Sequence, residues 1–238
     1  MEKRKQMFDI ISFTADPREY YPASMEHKNW MPGNYVKHTE MNIPLGQSRY
    51  GGPLVDLPAD IAYPDDLRFA AQLDLSKFSP FDKSDLLPQK GQLIFFADIL
   101  NDTGKVIYAD VPNDQLVRVT REHEDNFFSG ILIDQIYADT ETLEERYSEA
   151  EEGDEDVNEE GKVWNYFAGH EQSKIFGIYT HCQLQAEEIE EISFSDRVVL
   201  LQVGENGFNE EGVFTVTIPK EDLKNLNFDN CEFVWAQS

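Results

Sequence analysis

Two bases and two glutamines stand out by type and setting. Arg49 heads Arg49-Tyr50-Gly51-Gly52-Pro53, and Gln72 lies within Phe69-Ala70-Ala71-Gln72-Leu73. Lys174 heads Lys174-Ile175-Phe176-Gly177-Ile178, and Gln202 lies within Val199-Leu200-Leu201-Gln202-Val203. A base beside an amide can grip a polar ligand or a peptide, the base by charge and the amide by donating and accepting together. The same residues also have a structural use. The amides can satisfy backbone groups of the Gly/Pro loops, and the bases can pair with acids, as buried polar groups usually do. The structural use is preferred. Arg49, Gln72, Lys174 and Gln202 are the binding candidates, and no residue is assigned to catalysis.

Other constellations are weaker. His181 and Cys182 are adjacent, so on a strand they face opposite ways, which suits neither one metal ion nor a thiolate–imidazole pair. The remaining histidines, His27, His38, His123 and His170, are scattered, and no zinc-type spacing exists. Asp154-Glu155-Asp156-Val157-Asn158 opens like a calcium loop, but Glu159 stands where the sharp turn needs glycine and Asn165 where the loop ends in glutamate. No glycine-rich phosphate loop and no nucleophile elbow is present. With 46 acids, paired carboxylates carry no signal. The expectation is no metal and no cofactor.

The chain that must position these groups has 238 residues, 20 Lys and Arg and 46 Asp and Glu, for a formal charge of −26. Forty per cent is apolar, enough for a core in one large domain. The charge argues against binding nucleic-acid backbone or anionic lipid, both of which recruit Lys and Arg. No apolar run approaches the ~18 residues of a membrane span. Lys3, Arg4 and Lys5 start the chain like an export signal, but Asp9 and Ser12 interrupt the apolar stretch from Met7 to Phe13. Cys182 and Cys231 are too few for a disulfide framework. The cytoplasm is the expected compartment.

Residues 1–47 are weakly periodic and broken by Pro17, Pro22, Pro32 and Pro44, which predicts irregular backbone with short strands. Residues 48–64 read as an ordered, folded-back loop. Phe69–Leu75 alternates, placing Phe69, Ala71 and Leu73 on one face. Gln92–Ile99 suits a strand covered on both faces. Lys105–Val111 and Leu116–Arg121 read as strands with Pro112-Asn113-Asp114 turning between them. Residues 141–160 hold 11 acids and one base, Arg146. Thr142–Glu152 suits a helix, and the rest, to Gly161, a charged loop. Val163–Ala168 and Lys174–Thr180 read as further strands, Gln185–Ile192 as a short helix, and Arg197–Val203, Gly212–Ile218 and Cys231–Trp235 as strands around a helix opened by Pro219.

The halves echo one another: a basic-apolar-Gly run, a strand with a central Gln, then a strand headed by Gly91 or Gly212. Base-to-Gln spacings are 23 and 28, and Gln-to-Gly spacings 19 and 10. The run Ser48-Arg49-Tyr50-Gly51-Gly52-Pro53, Leu57-Pro58, Tyr63-Pro64, Phe69–Leu75, Leu87-Pro88 and Gly91–Phe96 resembles the YwqG-like family of bacterial proteins, a domain of unknown function. Lys174–Gly177, Val199–Gln202, Glu221-Asp222-Leu223 and Phe228 resemble its second half. The family often carries Trp-Gly-Asp where Asn209-Glu210-Glu211 stands here. The resemblance implies an α+β fold with internal duplication and no assigned activity.

The expected architecture is one α+β domain over 1–238, mainly antiparallel sheet with short helices. Two pseudo-repeats, near 45–120 and 165–236, flank an acidic insertion at 141–161. The leading functional expectation is a non-catalytic protein that binds a basic partner, such as an inhibitor of a basic toxin, with its acids standing in for phosphates. The alternative is a small-molecule-binding protein or enzyme with a cleft between the repeats, near Arg49, Gln72, Lys174 and Gln202. The oligomeric state has no signature in the sequence.

Overall fold

The computed structural model describes residues 3–25, 34–122, 129–154, 157–205 and 212–237. His27, His123, Glu155 and Asp156 of the calcium-loop look-alike, and Asn209-Glu210-Glu211 lie outside the described residues, and so do the readings placed on them.

The strands in chain order are β1 (Phe8–Tyr21), β2 (Tyr35–Lys37), β3 (Arg49–Tyr50), β4 (Leu54–Pro58), β5 (Arg68–Asp74), β6 (Gln92–Asp98), β7 (Thr103–Ala109), β8 (Leu116–Thr120) and β9 (Gly130–Glu141). Then come β10 (Tyr147–Glu149), β11 (Lys162–Trp164), β12 (Lys174–Ile175), β13 (Arg197–Val203), β14 (Val213–Pro219) and β15 (Glu232–Ala236). Three short helices punctuate them: α1 (Leu75–Phe78), α2 (Ala186–Ser193) and α3 (Lys220–Lys224). The fold is α+β and mostly antiparallel sheet.

One sheet dominates, in the order β15-β14-β13-β12-β1-β9-β3-β5-β6-β7, with β2 added in parallel to the end of β1. It curls until its two ends meet as a nearly closed barrel. Gly104 of β7 has no room for a side chain because the Phe233 ring of β15 lies against it, and Asp102 Oδ1 accepts from Trp235 N at 3.2 Å. Ile11, Phe13, Leu73, Leu93, Phe95, Leu201, Val203, Phe214 and Val216 fill the inside. Alternate residues face out. Ile94, Phe96 and Ile107 pack under the ribbon β4–β8, while Val199 packs with Leu143, Ile178 and Ile189 of the second half.

Several sequence expectations are corrected. The segment read as irregular with short strands contains the 14-residue β1, which pairs with β9 at the centre of the sheet. Leu54–Pro58, read as loop, is a fully buried strand. Phe69 does not share a face with Leu73. A bulge between Phe69 and Ala71 turns Phe69 outward to Tyr63 and Phe96, since one extra residue inverts every side chain beyond it. β8 pairs with β4 and not with β7. Thr142–Glu152 is no helix: one 3₁₀ turn, Leu143–Arg146, leads into the ribbon β10–β11. Lys174–Thr180 is strand only at Lys174–Ile175.

Candidate functional site

The binding candidates occupy two settings built alike. Arg49 begins the two-residue β3, in register with Gln72 on β5. Lys174 begins the two-residue β12, in register with Gln202 on β13. Each base follows a serine whose carbonyl accepts from the central pair: Ser48 O from Ile133 N at 3.0 Å, Ser173 O from Phe13 N at 3.1 Å. Each serine hydroxyl accepts from the backbone two residues past the glutamine, Asp74 N at 2.9 Å and Gly204 N at 3.0 Å. Each base is followed, two and three residues on, by positive φ: 65° and 76° at Gly51 and Gly52, 67° and 84° at Phe176 and Gly177. Left-handed backbone is normal for glycine and strained for phenylalanine.

A carboxylate joins each base. Asp56, from β4, accepts from Arg49 Nη2 at 2.9 Å, from Arg118 Nε and Nη2 at 2.8 and 2.9 Å, and from Gly46 N at 2.9 Å. Arg49 Nη2 also reaches Gln72 Oε1 at 2.9 Å. Gln72 Nε2 donates to Asp56 O and to Gln92 Oε1. In the second setting Glu141, the last residue of β9, accepts from Lys174 Nζ, from Arg146 Nη2 at 2.5 Å and from Ile178 N at 2.6 Å. Gln202 Nε2 donates to Gly169 O and Gln172 O at 3.1 and 2.7 Å. Its Oε1 has no donor among the described residues, because the lysine stem ends on Glu141 where an arginine fork would reach further.

Burial alone would raise the Asp56 carboxyl, but the Arg118 hydrogen bonds and the Arg49 charge outweigh it and hold the pKa below the usual value. Burial likewise works against Glu141, and the charges of Lys174 and Arg146 reverse it. Burial pulls the Lys174 ammonium down to about 8, with Glu141 offsetting part of that. Both carboxylates are therefore ionised at neutral pH.

Both carboxylates have lowered folded-state pKa values. Their stabilisation is complete above the unfolded values, about 3.9 for Asp and 4.3 for Glu, and is lost as pH falls through the folded ones. Relief of surface repulsion as the other acids protonate acts oppositely. In about 0.5 M salt, which screens that repulsion, the urea midpoint is expected to hold from pH 7 to 5 and to fall below about pH 4. A midpoint flat to pH 3 would contradict these ion pairs.

The four candidates do not share a cleft. Arg49, Gln72, Lys174 and Gln202 are all fully buried, and β9 and β1 stand between β3 and β12, which separates the two settings by about 14 Å. Asp56, Arg118, Glu141 and Arg146 complete them and are not singled out by type. Glu141 and Arg146, counted with the acidic insertion, are core residues.

A cleft does lie elsewhere between the halves. It has a volume of about 420 Å³ and is lined in part by Phe8, Phe81, Phe176 and Phe194. Lys83 comes to it from the first half, and Arg197 and Lys220 from the second. Among the described residues no three His, Cys, Asp or Glu side chains are grouped to hold a metal ion, and no helix is long and apolar enough to cross a membrane.

A family model described as "Domain of unknown function (DUF1963)" matches residues 48–236. No curated protein matches the chain.

Proposed function

The chain belongs to the DUF1963 domain family, and from that membership, which brings no activity with it, we propose a non-catalytic, cytoplasmic binding protein that engages a basic protein partner. Inhibition of a basic toxin is the concrete form. The observation that carries it is where the charge lies. Of 46 acids, Asp56 and Glu141 are the buried ones among the described residues. The rest of the described acids are at least partly exposed, as are Asp134 and Asp139 on β9 and Glu187, Glu188 and Glu191 on α2. A surface of this sign speeds encounter with cations and repels phosphate backbones.

We also infer an internal duplication of the YwqG-like kind. The matched serine, base and glutamine contacts of β3–β5 and β12–β13 support it, as do the bulges at Phe69/Ala71 and Val199/Leu201. Arg49, Gln72, Lys174 and Gln202 would then anchor each half and leave recognition to the surface.

Co-purification at about 50 mM salt is expected to recover a basic protein that releases by about 300 mM. Changing Glu149, Glu151, Glu152 and Asp154 to their amides should weaken its binding about tenfold. Recovery of no basic protein, or unchanged binding after neutralisation, would count against the proposal. The second reading is a small-molecule-binding protein, and the cleft between the halves is what favours it.

A further inference from the structure

The cleft has a composition at odds with the rest of the molecule. The chain carries 20 Lys and Arg against 46 acids. Around the cleft three cations, Lys83, Arg197 and Lys220, face two acids, Asp9 and Asp82.

Of the two acids, only Asp9 pairs with one of these cations. Asp82 is spent on its own loop, accepting from Ser84 N at 2.8 Å and from Leu86 and Leu87 N at 2.7 Å. Asp9 holds Lys83 at 2.6 Å, with both side chains more than half exposed. An exposed pair of this kind is weak enough to exchange for another anion. The Arg197 guanidinium is held by Thr217 Oγ1, Thr217 O, Asn230 O and the exposed Glu232, none of which lines the cleft, so Arg197 adds its stem to the wall and its charge at longer range. Lys220 Nζ has Ser195 O at 3.4 Å and no ion pair among the described residues.

Four phenylalanines, Phe8, Phe81, Phe176 and Phe194, also line the cleft. Phe176 does so at φ 67°, in the place where the first half uses Gly51. The strained backbone sets a ring, rather than a bare glycine, against the cleft and the core behind it.

Resting on the small-molecule reading, we propose that this cleft binds an amphipathic anion. A carboxylate or phosphate head would lie at Lys83 and Lys220, and an aromatic or aliphatic body would lie against Phe8, Phe81, Phe176 and Phe194. An apolar lining with a few convergent charges is the usual construction of a small-molecule site, and the volume falls in its range.

The probe is 8-anilinonaphthalene-1-sulfonate, titrated by fluorescence at pH 7, with the uncharged N-phenyl-1-naphthylamine beside it. Saturable binding of the sulfonate at one site per chain is expected, with the neutral dye weaker by about tenfold, or 1.4 kcal/mol. The double variant Lys83→Ala/Lys220→Ala should lose about as much with an unchanged unfolding midpoint, and Leu86→Trp should fill the cleft and abolish binding. Decanoate and decyl phosphate compete as displacers, and the stronger identifies the head group.

No saturable response, undiminished affinity in the lysine double variant, or displacement by neither amphiphile would overturn the proposal. A neutral dye bound as tightly as the anion and lost in Leu86→Trp removes the anion and keeps the cleft as a ligand site. Dyes indifferent to Leu86→Trp remove both.

Discussion

Glu141→Gln is expected to lower the unfolding free energy by about 3–5 kcal/mol, the usual result of removing one partner of a buried ion pair. That is a fall in thermal midpoint of about 6–20 °C for a chain of this size. The substitution keeps the shape and removes the charge. Lys174, fully buried, would keep Ile178 O at 2.9 Å and at best a neutral amide oxygen in place of the carboxylate. Arg146, itself buried, would face it without a carboxylate between them. Two cations in one low-dielectric setting repel, and water does not reach them. Glu144→Gln, three residues along the same acidic stretch, is the control. Among the described residues Glu144 pairs only with Lys5 and Lys162, at 3.9 and 3.7 Å on the surface, and its loss should change stability by less than about 0.5 kcal/mol. Urea denaturation at pH 7 decides. If the two variants are equally mild, the Lys174–Glu141 pair does not hold the second half together.

The contrast between Glu141 and Glu144 shows what sequence can and cannot reveal in this chain. Strands β5, β6, β13, β14 and β15 are legible to within a residue or two, because each is a short apolar run set off by glycine, proline or charge. The alternation test misses β1 and the sequence assigns nothing to β9, although they are the centre of the sheet. Their outward faces are exposed in part, so they carry Asp16, Asp134 and Asp139 where a central strand would ordinarily be apolar. β1 also shifts register at Thr14/Ala15 and again before Glu19, which destroys any period of two. The bases and glutamines are found by their repeated settings. Their carboxylates are not, since nothing in type separates Asp56 and Glu141 from the other acids; only pairing register does. One further signal is present in the chain. Gln47-Ser48-Arg49 and Gln172-Ser173-Lys174 share a Gln-Ser-base pattern, and its serines make the matched contacts to Asp74 and Gly204. The cleft has no linear signature, because its cations come from three separated segments.

Asp56→Asn is the counterpart in the first half, and it should cost somewhat less than Glu141→Gln, about 3 kcal/mol. The difference comes from what each base keeps. Arg49 retains Gln72 Oε1, Gln47 O and Leu54 O at 2.9, 2.7 and 3.2 Å, so its guanidinium stays mostly satisfied, whereas Lys174 retains one carbonyl. Arg118 suffers more. It lies on β8 and is tied across to Asp56 on β4 by two hydrogen bonds, with Ile43 O and Pro44 O as its other acceptors. Losing the charge between the arginines therefore loosens the β4–β8 ribbon before it loosens the barrel wall. Hydrogen exchange resolves this residue by residue. Amides of β8 should lose protection in Asp56→Asn while those of β13 keep theirs, and Glu141→Gln should reverse the pattern, with β12 and β13 opening first. The two settings lie about 14 Å apart across β1 and β9, beyond the range at which neighbouring substitutions usually couple. Equal loss of protection on both sides from either variant would mean that the wall transmits the defect and that the halves do not stand as separate anchored units.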